Sequence, residues 1–143
     1  MADKLRLQVV TPDKRLVDED VDQVQMPGRT GYLGILPGHA PLLTELGPGE
    51  ISYTQGGKTQ TQYLAVSWGF AEVLPDKVTV LADSAERPED IDVKRAQAAK
   101  ARADEALRND GPDLDYDATL LAQRRAEVRL EVAGRAGRTV AAH

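Results

Sequence analysis

Near residue 85 this chain changes its hydrophobic period, and no single kind of secondary structure accommodates both halves. Up to about residue 82, apolar residues alternate with polar ones: Leu5, Leu7 and Val9, then Val24 and Met26, Ile51 and Tyr53, and Val78, Val80 and Ala82. Period two puts such side chains on one face of a strand and their neighbours on the other. After Ala85, the run Glu86-Arg87-Pro88-Glu89-Asp90 opens an alanine-rich, charged stretch with no Gly or Pro until Gly111-Pro112. Alanine is the strongest helix former, so two units follow: residues 1–86 built of strands and residues 87–143 built of helices.

In the first unit, turn-forming residues separate the apolar runs: Thr11-Pro12-Asp13, Pro27-Gly28, Pro37-Gly38, Gly47-Pro48-Gly49, Gln55-Gly56-Gly57-Lys58 and Pro75-Asp76. Many short strands with frequent turns favour a sandwich or barrel, and no stretch here is long enough for the crossover helix of a βαβ unit. In the second unit, Asp90 is the candidate N-cap of a helix to about residue 108, with acidic residues in its first turn. Asn109-Asp110-Gly111-Pro112-Asp113 breaks it, and Asp115 to Val132 reads as a second helix with Ala118, Leu121, Arg125, Val128 and Val132 along one stripe. The two form an antiparallel hairpin. Because its first helix offers mostly alanine, and each alanine buries little apolar area, the packed hairpin is expected to be marginal. The residues from 133 to 143 form a short, Gly-containing tail.

Composition removes several functional classes. A net charge of -5 leaves no Lys/Arg excess to neutralise phosphates along nucleic acid. With no cysteine there is no disulfide, thiolate nucleophile or zinc-thiolate site, which agrees with a reducing, cytoplasmic compartment. The N-terminus lacks the apolar run of a signal peptide, and no stretch approaches the roughly 20 apolar residues that span a bilayer. Membrane association is therefore expected to run through partners.

Chemistry-bearing residues are sparse. Two histidines, His39 and His143, without a spaced carboxylate cluster, furnish no metal site. His39 sits in the turn Pro37-Gly38-His39-Ala40-Pro41 with no partners for a triad, and Asp18-Glu19-Asp20 reads as a solvated edge. Gly57-Lys58-Thr59 resembles the end of a phosphate-binding P-loop, but the motif's first glycine would fall at Ser52. A P-loop also joins a strand to a helix, whereas this segment joins two strands. No catalytic residue is expected.

The segment Gly31-Tyr32-Leu33-Gly34-Ile35-Leu36-Pro37-Gly38-His39-Ala40-Pro41-Leu42-Leu43 resembles the signature of epsilon subunits of bacterial F-type ATP synthases. Leu7-Gln8-Val9-Val10-Thr11-Pro12, Leu64 to Val73 and Asp76 to Ala82 follow in that family's order and spacing, so the resemblance covers residues 5 to about 133. Trp68 stands where the family's pattern has a glycine. The resemblance implies a β-sandwich of about ten strands followed by an α-helical hairpin. It also implies a non-catalytic central-stalk subunit of a proton-translocating enzyme, peripheral on the cytoplasmic face of the cell membrane. Such a sandwich is wedged between the gamma subunit and the c-subunit ring, coupling rotation to the catalytic head. Arg29, Thr30, Gly31, Tyr32, His39 and Leu42 are the candidate c-ring and gamma contacts.

Ile91-Asp92-Val93-Lys94-Arg95-Ala96 resembles the motif of epsilon subunits that hold ATP in the folded hairpin. Arg125 and Arg129, one helical turn apart, match the phosphate-meeting pair, and Glu86, Asp92, Arg95 and Arg102 match the remaining polar positions. The resemblance then implies a regulatory ATP and no other cofactor. ATP would hold the hairpin compact, and its loss would let the helices extend along gamma toward the alpha and beta subunits and inhibit hydrolysis. The rival readings are a sandwich that binds carbohydrate or a small ligand, and a cupin-like metalloenzyme; neither accounts for the ordered set of motifs.

Overall fold

A computed structural model describes residues 4–56 and 60–136; Gly57-Lys58-Thr59 and His143 lie outside these residues. Eight strands come first: β1 (Leu5–Val10), β2 (Arg15–Val21), β3 (Gln23–Gly28), β4 (Gly31–Ile35), β5 (Leu42–Leu46), β6 (Gly49–Thr54), β7 (Thr61–Leu74) and β8 (Lys77–Glu86). Two helices follow, α1 (Val93–Arg108) and α2 (Tyr116–Ala133). This is the strand-rich sandwich with a helical hairpin that the change of period foretells, with eight strands among the described residues where the resemblance implies about ten.

Hydrogen bonding runs in the order β2, β1, β8, β7, β5, β3, β4, and β6 joins both β3 and β7, which folds the sheet back over itself. Neighbours are antiparallel except β1 and β8, which pair in parallel from Arg6 opposite Lys77 to Val10 opposite Leu81. No crossover helix links them; the rest of the sandwich is the connection. The alternating residues meet inside: Leu5, Leu7, Val9, Val24, Met26, Ile51, Leu64, Val78 and Val80 are fully buried, with Tyr53 at 1% exposure. Burial pushes the Tyr53 hydroxyl above its ordinary value. Arg87 reaches that hydroxyl at 3.4 Å and donates to the Leu16 carbonyl at 3.2 Å, which ties the end of β8 to the sandwich.

Strand β7 is long enough to serve two neighbours in succession. Its first half pairs with β6, from Thr61 opposite Thr54 to Val66 opposite Gly49, and its second half with β5, from Gly69 opposite Leu46 to Val73 opposite Leu42. Between the halves Trp68 takes φ 54, a left-handed conformation that costs a side-chain-bearing residue about 1–2 kcal/mol. Here the expected glycine would be unstrained, so the departure noted at Trp68 falls on the one non-glycine residue with positive φ among those described.

Two local readings need correction. Pro27-Gly28 is not a turn but the end of β3; the two-residue turn is Arg29-Thr30, closed by Gly28 opposite Gly31. Asp90 does not cap α1. Pro88 starts a single 3-10 turn through Asp90, and Ile91 then takes extended φ -77 and ψ 127 as its side chain is buried, which interrupts the helix. Asp92 restarts it, accepting a hydrogen bond from the Arg95 amide at 3.1 Å. Asp115 caps α2 in the same way through the Ala118 amide, also at 3.1 Å.

Candidate functional site

Helix α2 lies across the face of β6, β7 and β8, and the sheet register explains how it is seated. Glu50 on β6 stands opposite Ala65 on β7, and Ala65 stands opposite Glu86 on β8, so the three form one cross-strand row. The small central residue lets the helix approach: Ala65, Ile91, Val128 and Val132 form an apolar cluster separate from the sandwich core, with Tyr63 packed beside it. At one end of the row Arg129 grips Glu86 through two nitrogens, at 2.8 and 3.1 Å. At the other, Arg135 grips Glu50 through two, at 3.1 and 3.3 Å, with its guanidinium 4.5 Å from the centre of the Tyr63 ring. The hydrogen bond to Glu50 raises the Arg135 pKa further above its ordinary value.

Between this face and the hairpin is a cleft of about 740 Å³, walled by Ser67 and Ser84 on the sheet and by Ala99, Ala103, Ala122 and Ala126 on the helices. Five of the eight residues matched to a nucleotide motif line it: Glu86, Arg95, Arg102, Arg125 and Arg129. The other three do not. Ile91 belongs to the apolar cluster, the Asp92 carboxylate is committed to the α1 cap, and Ala96 is fully buried. Among the described residues, Arg95, Arg102 and Arg125 make no ion pair, so three arginines without a carboxylate in ion-pair contact line one cleft. A site of that charge suits an anion with several phosphate oxygens. Ser67, Ser84 and Thr119 also line the cleft; nothing in their sequence setting singles them out, because the strand register and helix packing bring them there.

Across the hairpin, Asp104 on α1 accepts from Lys100 at 2.7 Å and from Gln123 of α2 at 2.7 Å. These two bonds, that from Lys100 first, hold the Asp104 carboxyl below its ordinary 3.8. Of the expected α2 stripe, Val128 and Val132 are buried, whereas Ala118 and Arg125 are exposed and Leu121 is half-buried; Ala126 completes the buried set.

The residues matched to stalk contacts fall in two places. Arg29 and Thr30 form the β3–β4 turn, where Arg29 pairs with Glu45 at 3.2 Å. Beside it Gly31 takes φ 144, and Tyr32, 56% exposed, accepts a hydrogen bond from the Glu50 amide at 2.9 Å. His39 and Leu42 lie at the far end of β4, about 15 Å away at strand rise, where the Gly38 amide donates to the Pro75 carbonyl. The His39 Nδ1 is 2.7 Å from the Ala40 carbonyl oxygen, which gives the ring a local structural partner. Leu36 and Leu43 are also exposed there, at 59% and 73%. Ser52 is an ordinary β6 residue opposite Tyr63, and Thr54 opposite Thr61 brackets the segment that contains Gly57-Lys58-Thr59. Among the described residues no group of three His, Asp or Glu side chains could hold a metal ion, and no helix is long and apolar enough to cross a membrane.

Comparison with known proteins agrees with this architecture. Residues 4–88 match the beta-sandwich domain of the ATP synthase delta/epsilon chain, and residues 89–134 match its long alpha-helix domain. The chain is 63% identical to the ATP synthase epsilon chain of Koribacter versatilis over 113 residues, 79% of this chain and 78% of that one. It is 48% identical to ATP synthase epsilon chain 2 of Syntrophotalea carbinolica over 139 residues, 96% of this chain and 99% of that one. Among solved structures, a chain of the Euglena gracilis mitochondrial ATP synthase superposes with TM-score 0.70 at 22% identity, covering 100% of this chain and 84% of that one. At that identity the likeness shows a shared fold. Matched through both of its domains, and with full-length relatives that are bacterial epsilon chains, this chain belongs to the ATP synthase delta/epsilon chain family.

Proposed function

We propose that this chain is the epsilon subunit of a bacterial F-type ATP synthase, a non-catalytic central-stalk subunit. Its sandwich, residues 1–86, binds gamma and the c-ring and couples rotation to the catalytic head; residues 87–143 regulate hydrolysis. It is peripheral on the cytoplasmic face of the membrane through that complex. The observation that carries the assignment is alignment over 96% of the chain with relatives named ATP synthase epsilon chain.

Regulation follows from the cleft. The three unpaired guanidiniums of Arg95, Arg102 and Arg125 receive the phosphates of ATP, and Arg129 joins them by exchanging its Glu86 partner for phosphate. Because those groups come from both helices, a bound nucleotide holds the hairpin shut. At a concentration one hundred times its Kd, a ligand of the compact state alone stabilises that state by about 2.7 kcal/mol. Without nucleotide the small alanine interface lets the helices extend toward the alpha and beta subunits, where they inhibit hydrolysis.

The test is ATP hydrolysis by an epsilon-depleted catalytic core, measured with the full chain and with a chain ending at Arg87. Inhibition by the full chain alone supports the assignment and puts regulation in the helices; no effect from either, with no binding to gamma, removes it. For the sensor, ATP should raise the melting temperature of the full chain, and Arg125→Ala should abolish the rise. An unchanged melting temperature in the intact chain would reject the nucleotide site and leave the stalk assignment standing. Cross-linking from Arg29 should capture the c-ring, and capture of gamma alone would reject that contact.

A further inference from the structure

The hairpin is fastened to the sheet at two places, and only one of them touches the cleft. Arg129 and its partner Glu86 line the cleft; Arg135 and its partner Glu50 do not, and lie instead with Tyr63 beside a smaller polar hollow of about 290 Å³. The spacing of the two is fixed by geometry. From Arg129 to Arg135 are six residues, which at about 1.5 Å each advance about 9 Å. Glu50 and Glu86 are two strands apart in one row, which at about 4.8 Å per strand is about 9.6 Å. Gly134 keeps helical φ -65 and ψ -13 past the end of α2, so the rise holds as far as Arg135. Both carboxylates are well covered, with side-chain exposures of 30% for Glu86 and 18% for Glu50, the latter the more shielded from salt.

We infer that the Arg135 fork on Glu50, capped by the Tyr63 ring, is a nucleotide-independent latch that keeps α2 on the sheet while Arg129 changes partner. This rests on the proposed regulation of the cleft only for its purpose, not for its existence. A helix held solely through Arg129 would lose its last charged anchor at the moment phosphate drew that guanidinium away from Glu86. With the latch closed, the C-terminal end of α2 stays seated and the nucleotide acts on a preformed cleft. Opening of the hairpin then requires the latch to break, whatever occupies the cleft.

The test is hydrogen exchange of the α2 amides in the full chain, without nucleotide and at low salt. Arg135→Ala and Glu50→Ala should each speed exchange across α2 about tenfold, the scale of one charge-assisted fork with a cation over a ring, while exchange in β1 and β8 stays unchanged. The double variant should be about tenfold as well, because both substitutions break one interaction. Unaltered exchange in the single variants, or an effect in the double equal to the product of the two, would overturn the latch. Repeating the experiment with ATP separates the two ideas: if ATP protects neither the intact chain nor the variants, the nucleotide reading fails and the latch is judged on the first result alone.

Discussion

At Gly69 a Cβ would collide with the Leu81 carbonyl oxygen and stand 2.9 Å from the Cα of Ala82, so the close approach of β7 to its sheet neighbour β8 admits no side chain. Backbone is what would have to move, and Gly69→Ala is expected to lower stability by about 3 kcal/mol; a urea midpoint within error of the parent would refute this. Its neighbour Trp68 carries the left-handed strain, and the half-buried indole helps to line a hollow with Val10, Pro12, Phe70 and Leu81. The other residue whose energetics can be read directly is Asp104. Its pKa is lowered in the folded chain, so the stabilisation it contributes is present above the ordinary value of 3.8 and is lost as pH falls through the lower, folded value. Asp104→Asn should therefore melt below the parent at pH 6, with the gap closing as the pH drops beneath that range. A gap independent of pH would mean that the carboxylate's charge plays no part.

At the scale of elements, the period of two located the strands because one face of each is buried in a common core; Leu5, Leu7, Val9, Val78 and Val80 all lie there. The start of α1 departs from what local sequence implies for a physical reason. Glu89 and Asp90 are good first-turn residues, but burial of Ile91 against Val128 and Val132 is a tertiary demand that local propensity does not express. Asp92→Ala should accordingly cost about 1 kcal/mol, the usual value of an N-cap, and lower the helical circular dichroism of the full chain, whereas Asp90→Ala should change it little. Equal effects would restore Asp90 as the cap. At the candidate site, the arginines were legible from their spacing and from resemblance. Glu50 and Arg135 were not, because 85 residues separate them and only the register of β6, β7 and β8 brings them together.

On the scale of the whole molecule, the two apolar clusters share no residue, and the larger contains none from the helices. A chain ending at Arg87 should therefore keep a single cooperative unfolding transition. Ending one residue earlier, at Glu86, deletes the guanidinium that reaches Tyr53 and Leu16, and the loss of about 1 kcal/mol should lower the melting temperature by about 4–8 °C in a domain of this size. Identical melting of the two would show Arg87 to be idle. The parallel seam between β1 and β8 has a consequence for how the chain comes into being. The first strand can zip to β2 as soon as both exist, but its other edge waits for a partner that begins at Lys77. During synthesis the open edge of β1 travels unpaired until nearly the entire sandwich has left the ribosome. Closure is then a long-range event, late and slow compared with the hairpin turns, and the nascent chain is most exposed to mispairing just before its last strand arrives.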